Sequence, residues 1–169
     1  MEWLAIFLGP AVSVAVVTWI LKLYRDHRAQ QRKILNVIRS LLAEIEINLE
    51  AQSELFQKGT DLEEIFARID SDPGYVPMIF SDRSPNPLFE ELKGELVLLP
   101  DDVLKPVIAY YKEDSFANSV IEDFRAKRFA ALEPDRKKNA LKLLWEQVER
   151  TSRAATEAIE RLGSHLDRT

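Results

Sequence analysis

Nineteen consecutive residues without a formal charge, Trp3 to Leu21 (WLAIFLGPAVSVAVVTWIL), constrain this chain more than any other feature. A helix rises about 1.5 Å per residue, so the stretch from Trp3 to Tyr24 reaches roughly 30 Å, the thickness of a bilayer's hydrocarbon core. Trp3 stands at one end of it and Trp19 with Tyr24 at the other, where interfacial aromatics sit. A cleaved signal peptide needs a basic leader and a small-residue cleavage site. Here the only charged side chain ahead of the run is Glu2, and no A-x-A follows. The run therefore predicts a transmembrane anchor over residues 1–24.

The stretch WILKLYRDHR shows which side the rest of the chain takes. Lys22, Arg25, Arg28, Arg32 and Lys33 crowd the C-terminal flank, while the N-terminal flank has no basic side chain. Basic flanks stay cytoplasmic, so the expected topology is N-terminus out with the bulk of the chain inside, as in a bacterial inner membrane. Residues 25–33 read as a basic juxtamembrane collar that binds anionic headgroups, each cation contributing about 1 kcal/mol near the surface. Within the anchor, Pro10 removes a backbone donor and predicts a bend near Ile6–Pro10. Ala5, Gly9 and Ser13 recur every four residues, a small-residue row that lets another membrane helix pack closely.

The remaining residues, 34–169, are long enough for one soluble domain with a real core. The overall charge of −5 is unevenly placed. Residues 1–33 carry five basic and two acidic side chains, leaving residues 34–169 strongly acidic. An acidic body behind a basic collar argues against general nucleic-acid binding. The chain has no cysteine, which excludes disulfides, thiolate nucleophiles and cysteine-ligated metals. Scarce glycine and abundant Ala, Leu, Glu, Lys and Arg favour helices.

Past the collar a 3.6-residue period takes over. Leu35, Ile38, Leu42, Ile45, Leu49, Gln52 and Phe56 form one row, and Ile34, Leu41, Asn48 and Leu55 a second beside it, predicting a helix over about 27–58 that continues out of the anchor. Gly59 terminates it, and Thr60 with Glu63 reads as a capping box for a short helix. Residues 70–87 break regular structure repeatedly and read as an irregular loop. Asn86 and Pro87 open another short helix through about Val97. A long helix is expected over 101–131, with Leu104, Val107, Ile108, Tyr111, Ile121 and Phe124 inward and Pro106 bending it or shifting its start. The last helix, to about Leu166, repeats Leu141, Leu144, Val148, Thr151, Ala155, Ala158, Leu162 and His165. The expected fold is all-α: a transmembrane helix continuing into an antiparallel bundle of three long helices plus short ones.

If the helix from 101 returns toward the bilayer, its greater length carries its end about 10 Å past the start of the outgoing helix. That end holds Arg125, Lys127, Arg128, Arg136, Lys137 and Lys138, a second basic cluster expected to rest on headgroups beside the collar. A solvated turn is the alternative.

No nucleophilic triad, P-loop, G-x-G-x-x-G or paired histidine ligand is present; His27 and His165 stand apart. Asp70, Asp72 and Gly74 are a poor match to a calcium loop, with Pro73 intruding and no glutamate at the twelfth position. Glu44 and Glu46, two apart on a helix, read as a surface pair. Asn48 and Gln52 fall on the apolar face and need partners. Tyr111 is expected at similar height, making a polar layer that fixes register or, alternatively, a ligand site. Tyr75, Val76, Met78, Ile79 and Phe80 form an apolar piece that either lids the core or binds a partner.

The uncharged leader, LLAEIEINLE at 41–50 and ELVLLPDDVLKPVIAYYK at 95–112 together resemble the layout of small, functionally unassigned single-pass bacterial membrane proteins. That resemblance implies an inner-membrane setting, with no site residues carried over. The expected function is non-enzymatic, with no cofactor: a cytoplasmic helical domain that binds a protein partner or itself, as an adaptor, accessory subunit or regulator. The alternatives are a membrane-active effector that oligomerises through Ala5, Gly9 and Ser13, and a small-ligand binder or enzyme using the polar positions around Asn48.

Overall fold

A computed structural model describes the backbone of residues 3–57, 61–77, 86–125 and 127–168, and the side chains of 14–53, 61–77, 86–124 and 128–168. Every regular element among the described residues is helical: α1 (Trp3–Gln57), α2 (Leu62–Ser71), α3 (Pro87–Leu92) with a 3-10 turn (Lys93–Leu98) after it, α4 (Asp101–Arg125), α5 (Lys127–Ala130) and α6 (Pro134–Asp167). The chain divides into two compact units, Met1–Val37 and Ile38–Thr169.

In the first unit, the described side chains from Val14 to Tyr24 are exposed all round the helix, with Val14, Trp19 and Leu21 each more than half accessible. Arg28 stacks its guanidinium over the Tyr24 ring, 4.7 Å from the centroid. Among the described residues no helix is long and apolar enough to cross a membrane.

The second unit is built on three long helical segments. Ile38, Leu41 and Ile45 of α1 are fully buried, as are Leu141, Leu144, Ala155, Ala158 and Leu162 of α6. In α6 the sequence pattern and the observed buried face coincide from Leu141 to Leu162. The inner face of α4 runs through Val103, Val107, Tyr110, Tyr111, Ala117, Ile121 and Phe124. Ile108, expected inward, is 47% exposed, because it lies one residue past Val107 and about 100° round the helix. Pro106 sits inside α4 without moving its start. The amides of Val103 and Leu104 bond the Pro100 carbonyl, so the helix is established before the proline is reached. The cap of α2 is one residue later than expected: the Asp61 side chain accepts the Glu63 amide at 2.9 Å, while Thr60 lies outside the described residues.

Three hydrogen bonds fix the direction of α4, and they correct the expected topology. Glu44 of α1 meets Tyr111, and one turn on, Asn48 reaches Asp114 through Asn86. Position rises along both helices together, so α4 runs parallel to this part of α1. α6 then runs back antiparallel to α4, with which it shares the most extensive helix–helix contact in the unit. At the far end from Ile38, Ile65 and Ile69 of α2 close a second cluster with Ile121, Phe124, Phe129, Leu141, Leu144 and Val148. The α4–α6 turn thus lies at the end of this unit opposite Ile38.

Candidate functional site

The polar positions of α1 meet α3, α4 and α6, with Glu44 and Gln52 buried and Asn48 half-buried. Glu44, expected as half of a surface pair, is 6% exposed, whereas Glu46 faces solvent. Helix α3 begins with Pro87, so the first amides left without an intrahelical acceptor are those of Leu88 and Phe89. The Glu44 carboxylate takes both, Oε1 from Leu88 N at 2.8 Å and Oε2 from Phe89 N at 3.1 Å. A carboxylate at a helix start also complements the positive end of the dipole. The Tyr111 hydroxyl donates to the same Oε2 at 2.6 Å. Above that bond the Phe89 ring stacks on Tyr111 with centroids 3.7 Å apart. Burial, and then the Glu44 carboxylate it faces, raise the Tyr111 hydroxyl well above its ordinary range.

Asn86 is the N-cap residue of α3 by position, yet its side chain does not cap it. It bridges two other helices, accepting from Asn48 Nδ2 at 2.8 Å and donating to Asp114 Oδ2 at 2.9 Å. Asn118 Nδ2 donates to that same oxygen at 3.1 Å. Gln52 donates to the Val148 carbonyl at 3.1 Å, tying α1 to α6. Of the expected layer of Asn48, Gln52 and Tyr111, Tyr111 bonds Glu44 of α1, Asn48 bonds Asn86 and Gln52 bonds α6. Glu44 was legible in principle: Val37, Leu41, Glu44, Asn48 and Gln52 step by three or four along one face. Chemically the layer is an interlocked clamp on the start of α3, and the contacts of Glu44 and Asp114 are with protein groups.

Lys22, Arg25, Arg28, Arg32 and Lys33 are all exposed. The second basic cluster is different. Lys137 is fully buried, its Nζ donating to the carbonyls of Pro73 at 2.5 Å and Tyr75 at 3.4 Å, so it is withdrawn from any lipid surface. Lys138 pairs with Asp70 at 2.5 Å, a hydrogen bond that raises its pKa. Arg128 pairs with Asp123, and Arg136 is exposed. The side chains of Arg125 and Lys127 lie outside the described residues, as do those of Ala5, Gly9 and Ser13. In the loop, Tyr75 and Val76 pack against the second cluster; Met78, Ile79 and Phe80 lie outside the described residues. Asp72 is a turn former, its Oδ1 accepting the Gly74 amide at 2.8 Å. Among the described residues no three His, Asp or Glu side chains converge as a metal site would require.

Among the described residues, a groove of about 520 Å³ lies between α4 and α6, with no sequence pattern announcing it. Phe124, Phe129 and Leu132 form its floor, and Phe116 and Leu143 its walls. Phe116 is 57% and Leu143 63% exposed, and together they present an apolar patch beside the groove. A second hollow of about 440 Å³ adjoins it, sharing Phe116, Gln147 and Arg150. Comparison with known proteins finds no matching family, no matching curated protein and no matching solved structure.

Proposed function

We propose that this chain is a single-pass membrane protein of the bacterial inner membrane whose helical domain, on the cytoplasmic side, binds protein as an adaptor, accessory subunit or regulator. The anchor is the uncharged run from Trp3 to Leu21, of which residues 3–13 contribute described backbone only. An apolar helix surface left open from Val14 to Tyr24 supports it, since such a helix is stable only against a core or lipid. Exposed Lys22, Arg25, Arg28, Arg32 and Lys33 supply the positive-inside flank and contact anionic headgroups.

The observation that carries the binding reading is the α4–α6 groove, whose apolar walls stand open while the polar layer behind α4 is occupied by its own hydrogen bonds. Protein recognition uses such apolar channels with charged rims. Topology is tested by adding protease to spheroplasts: the domain should survive alongside an internal marker, and its digestion while the marker persists refutes the orientation. Binding is tested by affinity purification of the full chain from intact membranes with mass spectrometry. Recovery of the chain with no stoichiometric protein, and no second copy of itself, refutes the binding role.

A further inference from the structure

Gln147 donates to the Glu113 carbonyl at 3.2 Å and to its carboxylate at 2.7 Å, which sets the register of α4 against α6. Counting three residues on from Glu113 and four back from Gln147 brings Phe116 and Leu143 to the same height, within roughly one residue's rise of 1.5 Å. Both are exposed and both line the groove. Seven residues, or about two turns, carry α4 from Phe116 to Asp123 and α6 back from Leu143 to Arg136. These two are again level, exposed and of opposite charge, Asp123 being shared with Arg128 of its own copy. On the other side of the apolar pair stand Lys112 on α4 and Glu146 on α6, also exposed and opposite in sign, Glu146 lying 3.9 Å from Arg150 of its own copy.

Resting on the reading of the domain as a binding module, we propose that the α4–α6 face docks on the same face of a second copy, related by a two-fold axis parallel to the helices. That operation lays each α4 over the partner copy's α6. Phe116 then meets Leu143 of the other copy, Asp123 meets Arg136, and Lys112 meets Glu146, each contact made twice. The interface is isologous, as two-fold dimers require. The result is a four-helix arrangement with antiparallel neighbours, the commonest bundle geometry. A two-fold axis lying across the helices would set Phe116 on Phe116 and carry Arg136 toward Arg150, losing the charge match. The axis along the helices also keeps the Ile38 ends of both copies on one side, as two chains held by one bilayer need.

The full chain in lipid nanodiscs should be measured by mass photometry, with circular dichroism to verify folding of each variant. Two copies per particle are expected; single copies throughout overturn the proposal. Leu143→Asp, at an exposed site, should reduce the two-copy fraction at least about tenfold. An undiminished fraction places the contact elsewhere and overturns it. Asp123→Arg should weaken pairing, and Asp123→Arg with Arg136→Asp in the same chain should restore it; no restoration overturns the proposed axis. A chain that stays single but still enriches another protein from membranes refutes self-docking while leaving the binding role standing. A chain that pairs in nanodiscs but is digested from outside spheroplasts refutes the orientation alone.

Discussion

The Tyr111 hydroxyl and the Glu44 carboxylate, 67 residues apart in sequence, share a 2.6 Å hydrogen bond inside the helical domain. The acceptor oxygen already takes the amide of Phe89, whose ring lies flat on Tyr111. One carboxylate thus joins α1, α3 and α4, and it does so where an isolated six-residue helix is too short to sustain itself. The groove-bearing α4–α6 pair is held against α1 through this contact and the Gln52 bond to Val148.

Glu44→Ala leaves two amides and a phenol without their acceptor. Each buried unsatisfied donor costs about 1–3 kcal/mol, so a loss of roughly 3 kcal/mol is expected. Glu44→Gln keeps one acceptor oxygen but turns an amide NH2 toward a donor, and should cost about 2 kcal/mol. Glu46→Ala, on the solvent face, should stay within about 0.5 kcal/mol. Urea unfolding of the full chain in detergent, followed by circular dichroism, measures all three. Faster hydrogen exchange at Leu88 and Phe89 in Glu44→Ala would assign the loss to the cap.

Tyr111 gives the domain an alkaline limit. Burial and the neighbouring carboxylate raise the folded-state pKa of its phenol, while the unfolded chain ionises it near the ordinary 10.0. Below that value both states hold the proton and no linkage operates. As pH rises above it the unfolded state alone releases the proton, so stability falls, by about 1.4 kcal/mol per pH unit for one group. Tyr111→Phe loses the hydrogen bond at neutral pH but removes this slope. Unfolding free energies of the two proteins should therefore converge between about pH 10 and 11; parallel curves would show that Tyr111 is not the linked group.

Helices were legible wherever one face repeats with a single period. Leu141 to Leu162 is the clearest case, because every buried position but Gln147 is apolar or small and the apolar spacing never slips. Asp114 and Glu44 were obscured for the opposite reason: they are charged residues on an inner face whose cross-helix partners, Asn86 and Tyr111, lie far along the chain. Their neighbours in sequence contain no trace of those partners. The direction of α4 was likewise hidden. It depends on the path between Ser71 and Pro87, where proline and turn residues erase periodicity. Lys137 was misread because a basic run was taken whole, although Lys137, Leu141 and Leu144 lie on one face of α6.

Lys137 is a buried ammonium whose named acceptors are backbone carbonyls of Pro73 and Tyr75, which no side-chain substitution removes. Lys137→Met keeps most of the packing volume and relieves the cost of burying a charge. Pro73 is exposed and Tyr75 half-buried, so solvent reaches the released carbonyls. A change within about 1 kcal/mol is expected for Met. Lys137→Ala removes the stem as well and should cost about 2–4 kcal/mol through the space left against Phe129. Limited proteolysis between Asp72 and Pro77 should accelerate in Lys137→Ala and much less in Lys137→Met. Equal acceleration in both would assign the effect to the lost hydrogen bonds.

Asp114 separates acceptor chemistry from charge in the polar layer. Its Oδ2 receives both Asn86 and Asn118, so what the site requires is an oxygen lone pair directed at two amides. Asp114→Asn can present such an oxygen, with neutral bonds in place of charge-assisted ones, and should cost about 1 kcal/mol. Asp114→Leu has similar volume but no acceptor, stranding both amides in a site that is 1% exposed, and should cost about 3 kcal/mol. Asn86 stands between Asp114 and Asn48, so Asn86→Ala combined with Asp114→Leu should lose less than the sum of the two, with a coupling of about 1 kcal/mol or more. Strict additivity in that double-mutant cycle, read by urea unfolding, would mean that the bridge does not join α1 to α4 energetically.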